Sequence, residues 1–180
     1  MEVGGSCLLD RIYNVLHSRF EDLILVTNTP MDYLKWDLTI VTDLYPERSS
    51  LTGIHTGLYY AQNPHAFVIA GDTPFLQPGI IDLLWSRVDP QVDLVLPVTS
   101  AGNEPLCAVY ARKALPAIEN QLNQKKFKIM RVFRRDRIKP ITEKRLLGAD
   151  PELRSFFNIN TPEDLARAEA MLQESSPESG

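Results

Sequence analysis

The sequence predicts an α/β fold with a largely parallel sheet, and three features carry that prediction. Short continuous apolar runs, Leu23-Ile24-Leu25-Val26 and Phe67-Val68-Ile69-Ala70, have the character of strands buried on both faces. Segments of helical periodicity separate them, as in strand–helix–strand units. Polar residues gather where the strand runs end: Asn28, Asp43, Asp72 and Asn160. In open α/β sheets that is where ligands sit.

Taken in order, Leu8 to Phe20 places Leu8, Leu9, Ile12, Val15, Leu16 and Phe20 on one helical face. The strand Leu23 to Val26 follows and ends in Thr27-Asn28-Thr29-Pro30. Met31 to Trp36 suits a helical turn, and Leu38 to Val41 a third short strand, with Asp43 just after it. Tyr45 to Ser50 is a loop, and Leu51 to Gln62 a helix carrying Gly53 and Gly57. The strand Phe67 to Ala70 leads into Gly71, expected to allow a tight turn, and into Pro74, which disfavours a helical Thr73. Pro78 starts a helix reaching about Val88, with Ile80, Ile81, Leu84 and Trp85 inward. Two more strands, Asp93 to Pro97 and Leu106 to Tyr110, precede a helix from Ala114 to Leu122. Lys125 to Lys139 interleaves Phe127, Met130, Val132 and Phe133 with basic residues, as an amphipathic helix would. Phe156 to Asn160 is expected as a short strand. Thr161, Pro162 and Asp164 then form an N-cap, first helical residue and capping-box acid. That helix closes near Leu172, so residues 1–172 are read as one domain and 173–180 as a disordered tail.

The chain has 180 residues, 44% hydrophobic and 23% charged, ordinary for one globular domain. A net charge of −4 makes no general case for nucleic acid as a partner. Cys7 and Cys107 are far apart and outside any metal-binding spacing, which fits small core residues in a reducing compartment. No apolar run approaches the roughly 20 residues that span a bilayer, and no signal peptide opens the chain, so a cytoplasmic protein without a membrane partner is expected.

Asp72 admits two roles. Its carboxylate could bind Mg²⁺, which commonly takes one or two carboxylates plus substrate phosphates, or it could cap the turn or the next helix. Asn28, Asp43, Asp72 and Asn160 together fit a nucleotide site, with amides for base or ribose and an acid for a metal; singly, each fits a strand-end turn. The eight basic residues of Lys125 to Lys139, against Asp136 alone, suit either a polyanionic ligand or a solvated face. His17, His55 and His65 have no metal spacing.

Four blocks in order resemble the molybdenum cofactor guanylyltransferases, the molybdopterin-guanine dinucleotide biosynthesis protein A family. They are Ser50-Leu51-Thr52-Gly53-Ile54, Ala70-Gly71-Asp72-Thr73-Pro74-Phe75-Leu76, Asn103-Glu104-Pro105-Leu106 with Tyr110, and Phe157-Asn158-Ile159-Asn160-Thr161-Pro162-Glu163-Asp164-Leu165. The resemblance runs nearly to Met171. It implies a Rossmann-like nucleotidyltransferase fold and transfer of GMP from Mg·GTP to the terminal phosphate of molybdopterin, releasing pyrophosphate. It implies that Asp72 is catalytic and binds the metal, and that Asn28 and Asp43 contact the guanine nucleotide. It implies too that Asn158 and Asn160 lie on the pterin side of the cleft. GTP, Mg²⁺ and molybdopterin or its molybdenum cofactor are the implied ligands, and molybdoenzyme maturation proteins a further class of partner.

The family opens with a strand and a glycine-rich loop, Leu-x-Gly-Gly-x-Ser-x-Arg-Met-Gly-x-Asp-Lys, which cradles the triphosphate. No such block stands in this sequence, and Gly4-Gly5 matches a later Gly-Gly that leads into the first helix. A sheet lacking its first strand, with a slot beside the Asp72 strand, is the expected consequence. Two further functions stay open: a non-catalytic pterin- or partner-binding protein, and a nucleotidyltransferase using CTP or a sugar phosphate.

Overall fold

The computed structural model describes residues 2–175. A tight hairpin, β1 (Glu2–Val3) and β2 (Ser6–Cys7), turns through Gly4 and Gly5, whose positive φ angles of 56° and 74° suit glycine. Helix α1 (Leu8–His17) buries Leu8 and Ile12 and closes early, because both Arg19 and Phe20 donate their N–H to the Leu16 carbonyl. β3 (Ile24–Val26) and β4 (Thr39–Val41) pair in parallel, linked through a 3₁₀ turn at Pro30–Tyr33. α2 (Ser50–Tyr60) starts from Ser49, whose hydroxyl accepts the Thr52 N–H at 3.1 Å.

The larger sheet has five strands: β5 (His65–Ile69), β6 (Leu94–Thr99), β7 (Gly102–Asn103), β8 (Cys107–Ala111) and β9 (Ile138–Thr142). Its path is β5-β8-β6-β7, with β9 on the other edge of β6. β5 and β6 each run antiparallel to β8 and hence parallel to each other, and β9 is parallel to β6. The parallel character expected from the sequence holds for those three strands. β8 departs from it because the β6-to-β8 connection is too short for a parallel crossover and closes through β7 instead.

Alternation along the central strands divides the core between two faces. Leu94, Leu96, Ala108 and Tyr110 face α2 and α4 (Leu115–Asn123), where Leu51, Ile54, Leu58 and Ile118 complete a cluster. Val95, Cys107 and Val109 face α3 (Pro78–Trp85) and α5 (Glu143–Leu146), meeting Ile80, Leu84, Ile141 and Leu146. The Tyr110 hydroxyl donates to the Pro105 carbonyl at 2.6 Å, and burial pushes its pKa up. A third cluster, Val3, Leu8, Phe75, Ile159 and Ala168, lies under α6 (Pro162–Ser175).

Two expected elements are absent. Lys125 to Lys139 is not a helix: it forms 3₁₀ turns at Ile129–Arg131 and Arg135–Arg137 and then enters β9. Its apolar side chains, Ile129, Met130, Val132 and Phe133, plug into the first cluster. This tertiary packing overrides the amphipathic pattern. Phe156 to Asn160 is not a strand either. It follows a 3₁₀ turn at Arg154–Phe156 and pairs with no strand among the described residues. The closing helix continues to Ser175, past the expected end, and residues 176–180 of the expected tail lie outside the described residues. Between β3 and β5 the sheet is interrupted by an open slot, where the sequence leads one to expect it beside the Asp72 strand.

Two glycines test this packing with opposite signs. A Cβ at Gly79 in α3 would lie 2.9 Å from the Ala149 carbonyl oxygen, whereas one at Gly53 in α2 meets nothing within 4 Å. Gly79→Ala should lower the urea midpoint, since overpacking of about 1–3 kcal/mol exceeds the gain in helix propensity. Gly53→Ala should raise it by up to about 1 kcal/mol. Equal effects of the two would contradict the packing described.

Candidate functional site

After β5 the ladder ends with the Ala70 N–H donating to the Leu106 carbonyl at 2.9 Å. The turn that follows is held by Thr73, whose buried hydroxyl donates to the Ala70 carbonyl at 2.8 Å. Gly71 is not at positive φ, so the tight-turn role expected of it is carried by Thr73 instead. α3 begins only at Pro78, with Gln77 at its N-cap. Asp72 therefore caps neither turn nor helix. Its Oδ1 is buried and makes no hydrogen bond.

The Asp72 backbone has a separate duty. Its carbonyl accepts the Ile159 N–H at 2.9 Å. The Ile159 side chain is buried beside Phe75, and its exposed neighbours Asn158 and Asn160 are thereby fixed next to the Asp72 turn. Two further polar contacts hold this strap in place. The Asp150 carboxylate accepts the Ser155 N–H at 2.7 Å, and the Ser155 hydroxyl accepts the Gln77 N–H at 2.9 Å. Asp150 and Ser155 are 3% and 0% exposed, so these bonds are shielded from water. Beyond the strap, the Asp164 carboxylate accepts the N–H groups of Asn160 and Thr161 at 3.1 and 3.0 Å, and the Thr161 hydroxyl accepts the Asp164 N–H. The expected capping box is present. The Asn160 N–H, with Thr161, holds the Asp164 carboxyl below the usual carboxylate range.

Asn28 and Asp43 meet because β3 and β4 are parallel and in register, with Val26 opposite Val41. Two residues beyond each strand, Asn28 Nδ2 donates to Asp43 Oδ2 at 2.8 Å. The other oxygen of Asp43 is buried without a partner. The Leu44 N–H donates to the buried Thr56 hydroxyl at 3.1 Å, which turns the chain toward α2.

The five residues named from the sequence thus fall into two groups, Asn28 with Asp43 and Asp72 with Asn158 and Asn160. Thr27 and Gly71, which precede Asn28 and Asp72, line the same slot between β3 and β5. Among the described residues no three His, Cys, Asp or Glu side chains gather to hold a metal ion. The basic segment is partly neutralised: Arg134 pairs with Asp136 at 2.8 Å and Lys125 with Glu47 at 3.8 Å. Asp150, Ser155 and Gln77 were not singled out in the sequence. The Gln77–Ser155 bond joins positions 78 residues apart, so no local pattern announces it, and the nearby Asp150–Ser155 bond gains its place only through that long-range partner.

A family model for the MobA-like NTP transferase domain matches residues 1–140. The chain belongs to that family. A molybdenum cofactor guanylyltransferase of Desulfosudis oleivorans is 43% identical over 171 residues, covering 95% of this chain and 85% of that protein. A probable molybdenum cofactor guanylyltransferase of Natranaerobius thermophilus is 34% identical, covering 96% and 86%. The crystal structure of molybdopterin-guanine dinucleotide biosynthesis protein A from Archaeoglobus fulgidus superposes with a TM-score of 0.82 at 28% identity, covering 97% of this chain and 89% of that one. A cytidylyltransferase structure from Thermus thermophilus, at 15% identity and a TM-score of 0.71 over 96% of this chain and 92% of that one, shares the fold. This MobA-like chain therefore has the Rossmann-like α/β fold of nucleotidyltransferases and belongs to a nucleotidyltransferase family.

The strap yields a direct test. Ser155→Ala leaves the half-buried Gln77 N–H without its acceptor, at a cost of up to about 1–3 kcal/mol. Hydrogen exchange at the Ile159 amide should accelerate more than at Val109 in the central strand. Equal acceleration at both sites would mean that Ser155 supports the whole fold and not the strap.

Proposed function

We propose that this chain transfers GMP from Mg·GTP to the terminal phosphate of molybdopterin, giving the guanine dinucleotide cofactor and pyrophosphate. The observation that carries the proposal is the Asp72 carboxylate, which lies past the end of β5 with a buried oxygen that no protein group satisfies. An unpaired buried carboxylate oxygen is costly and suits a ligand that supplies positive charge. The names of the 43% and 34% identical relatives support the substrate class.

Mg²⁺ fits this site on the chemistry of its donors. It commonly uses one or two carboxylates and completes its shell with phosphate oxygens and water, so Asp72 would hold it together with the nucleotide. When bound, the ion neutralises charge on the transferring phosphoryl group. The chain's own contribution is placement. Asp43, oriented by Asn28, presents an acceptor oxygen suited to the donor groups of guanine. Asn158 and Asn160, on the strap tied to the Asp72 carbonyl, orient the pterin-side phosphate. An oxygen of that phosphate attacks the α-phosphorus of GTP, the bond to the bridging oxygen breaks, and pyrophosphate leaves with the electron pair. The attacking phosphate is already an anion, so no general base is required. The substrates belong to a cytoplasmic setting. Molybdoenzyme maturation proteins would take up the product.

Calorimetric titration with Mg·GTP and Mg·CTP tests this function. Asp72→Asn should weaken Mg·GTP binding at least about tenfold, the effect of losing about 1.4 kcal/mol, while far-ultraviolet circular dichroism stays unchanged. Mg·CTP should bind more weakly than Mg·GTP. Equal affinity for the two nucleotides, or wild-type affinity in Asp72→Asn, would contradict it.

A further inference from the structure

Charge is segregated along this chain. From Lys125 to Arg145 there are ten basic residues against two acids, Asp136 and Glu143, whereas the rest of the chain carries nine basic against 21 acidic residues. Elsewhere cations sit beside acids: Arg19 on Asp82, Lys35 on Asp10, Lys113 on Asp93 and Arg154 on Glu152. Both acids of the basic stretch are already engaged, Asp136 by Arg134 and Glu143 by the Ser100 N–H. Lys128, Arg131, Arg135, Lys139, Lys144 and Arg145 are exposed, and among the described residues none of these side chains has an ion-pair or hydrogen-bond partner.

Packing fixes where these cations stand. Ile129, Met130, Val132 and Phe133 are drawn into the first core cluster, which leaves Lys128, Arg131 and Arg135 outside on that face of the sheet. β9 carries Lys139 and is the outermost strand on its side, paired with β6 alone. α5 packs against β9 from the opposite face and presents Lys144 and Arg145, followed by Leu147 at 41% exposure. The six cations therefore flank one strand of five residues, about 17 Å long. Asp72 lies elsewhere. It follows the C-terminal end of β5, three strand spacings or about 14 Å across the sheet, whereas Arg135 precedes the N-terminal end of β9.

We propose that this strip docks a short acidic segment of a partner protein, held by ion pairs to the six cations and by one apolar side chain against Leu147. Charge complementarity selects the occupant, independently of the nucleotide reading of Asp72. Like charges crowded without counter-ions repel one another, and an acidic segment relieves that repulsion. A nucleic acid would carry its charge past the strip onto a surface dominated by acids. Its bases would also find no ring to stack on there, because Phe127 and Phe133 are packed into the core. The Arg137 carbonyl accepts the Asp93 N–H at 2.8 Å, which turns odd-numbered residues along this strand toward β6 and Pro140 outward. Pro140 has no N–H to offer an added strand, so side chains and not a backbone ladder make the contacts.

The probe is a fluorescent peptide of about seven residues, glutamates ending in leucine, long enough to follow β9 when extended. Anisotropy should show binding to the full chain at about 150 mM salt that weakens severalfold as salt is doubled. The same peptide with Gln for Glu should not bind. Arg131→Gln with Arg135→Gln should weaken binding about tenfold and keep the wild-type urea midpoint. Arg19→Gln with Lys35→Gln removes the same charge from paired sites and should leave peptide binding unchanged. Leu147→Ser should weaken it about threefold. Amide shifts should cluster at Lys128 to Lys139 and Lys144 to Leu147. Binding no tighter than that of the Gln peptide, or equal loss in the two double variants, would overturn the proposal. Tighter binding of a thymidine oligonucleotide of equal charge would also overturn it and assign the strip to nucleic acid. Shifts centred on Asp72 and Asn158 would overturn it by placing the peptide in the candidate nucleotide site.

Discussion

The hydrogen bond from the Ile159 N–H to the Asp72 carbonyl, 2.9 Å long, joins the segment after β5 to the strap that precedes α6. Asp72 serves two directions at once through different atoms. Its backbone oxygen takes a protein donor, and Oδ1 of its carboxylate is left without a protein partner. Ile159 extends the junction into the core beside Phe75, where Val3, Leu8 and Ala168 meet from both ends of the described chain. The hydrogen-bonded line Gln77–Ser155–Asp150 holds the strap from its other side. Buried polar bonds of this kind are costly to break singly, which favours one fixed position for Asn158 and Asn160.

The other half of the site is organised by register. Parallel pairing with Val26 opposite Val41 brings Asn28 and Asp43 to hydrogen-bonding distance. The two halves stand on opposite sides of the slot between β3 and β5, and the layer is bridged by α1 and α2. The geometry of the proposed nucleotide site therefore depends on how firmly two separately bonded sheets are held together. Helix packing provides that link, since α2 touches both β3 and β5, and a Cβ added at Gly57 would already stand 3.7 Å from Val26 Cγ2.

Much of this was legible in the sequence because it depends on local pattern. The buried runs at Leu23 to Val26 and Phe67 to Ala70 became strands, and Thr161-Pro162-Glu163-Asp164 became a capping box. The strand-end position of Asp72 was equally plain. Other features depended on partners distant in the chain. The basic segment reads as an amphipathic helix because its apolar residues recur among charges, yet these residues are claimed by a core cluster that no local window contains. Phe156 to Asn160 has the composition of a strand but gives its key N–H to a turn carbonyl and not to a ladder. β8 reads like the other buried strands, and only the shortness of the connection before it hints at reversal.

Manganese-induced broadening of backbone amide signals, recorded with Mn²⁺ and GTP, is the most direct test of Asp72 as the centre of this arrangement. Broadening should be strongest at Gly71, Asp72 and Thr73 and should reach Asn158, Ile159 and Asn160 through the strap tied to the Asp72 carbonyl. It should disappear in Asp72→Asn while the Ile159 amide keeps its protection from exchange. Broadening centred on the basic segment from Lys125 to Lys139, or unchanged in Asp72→Asn, would contradict the account.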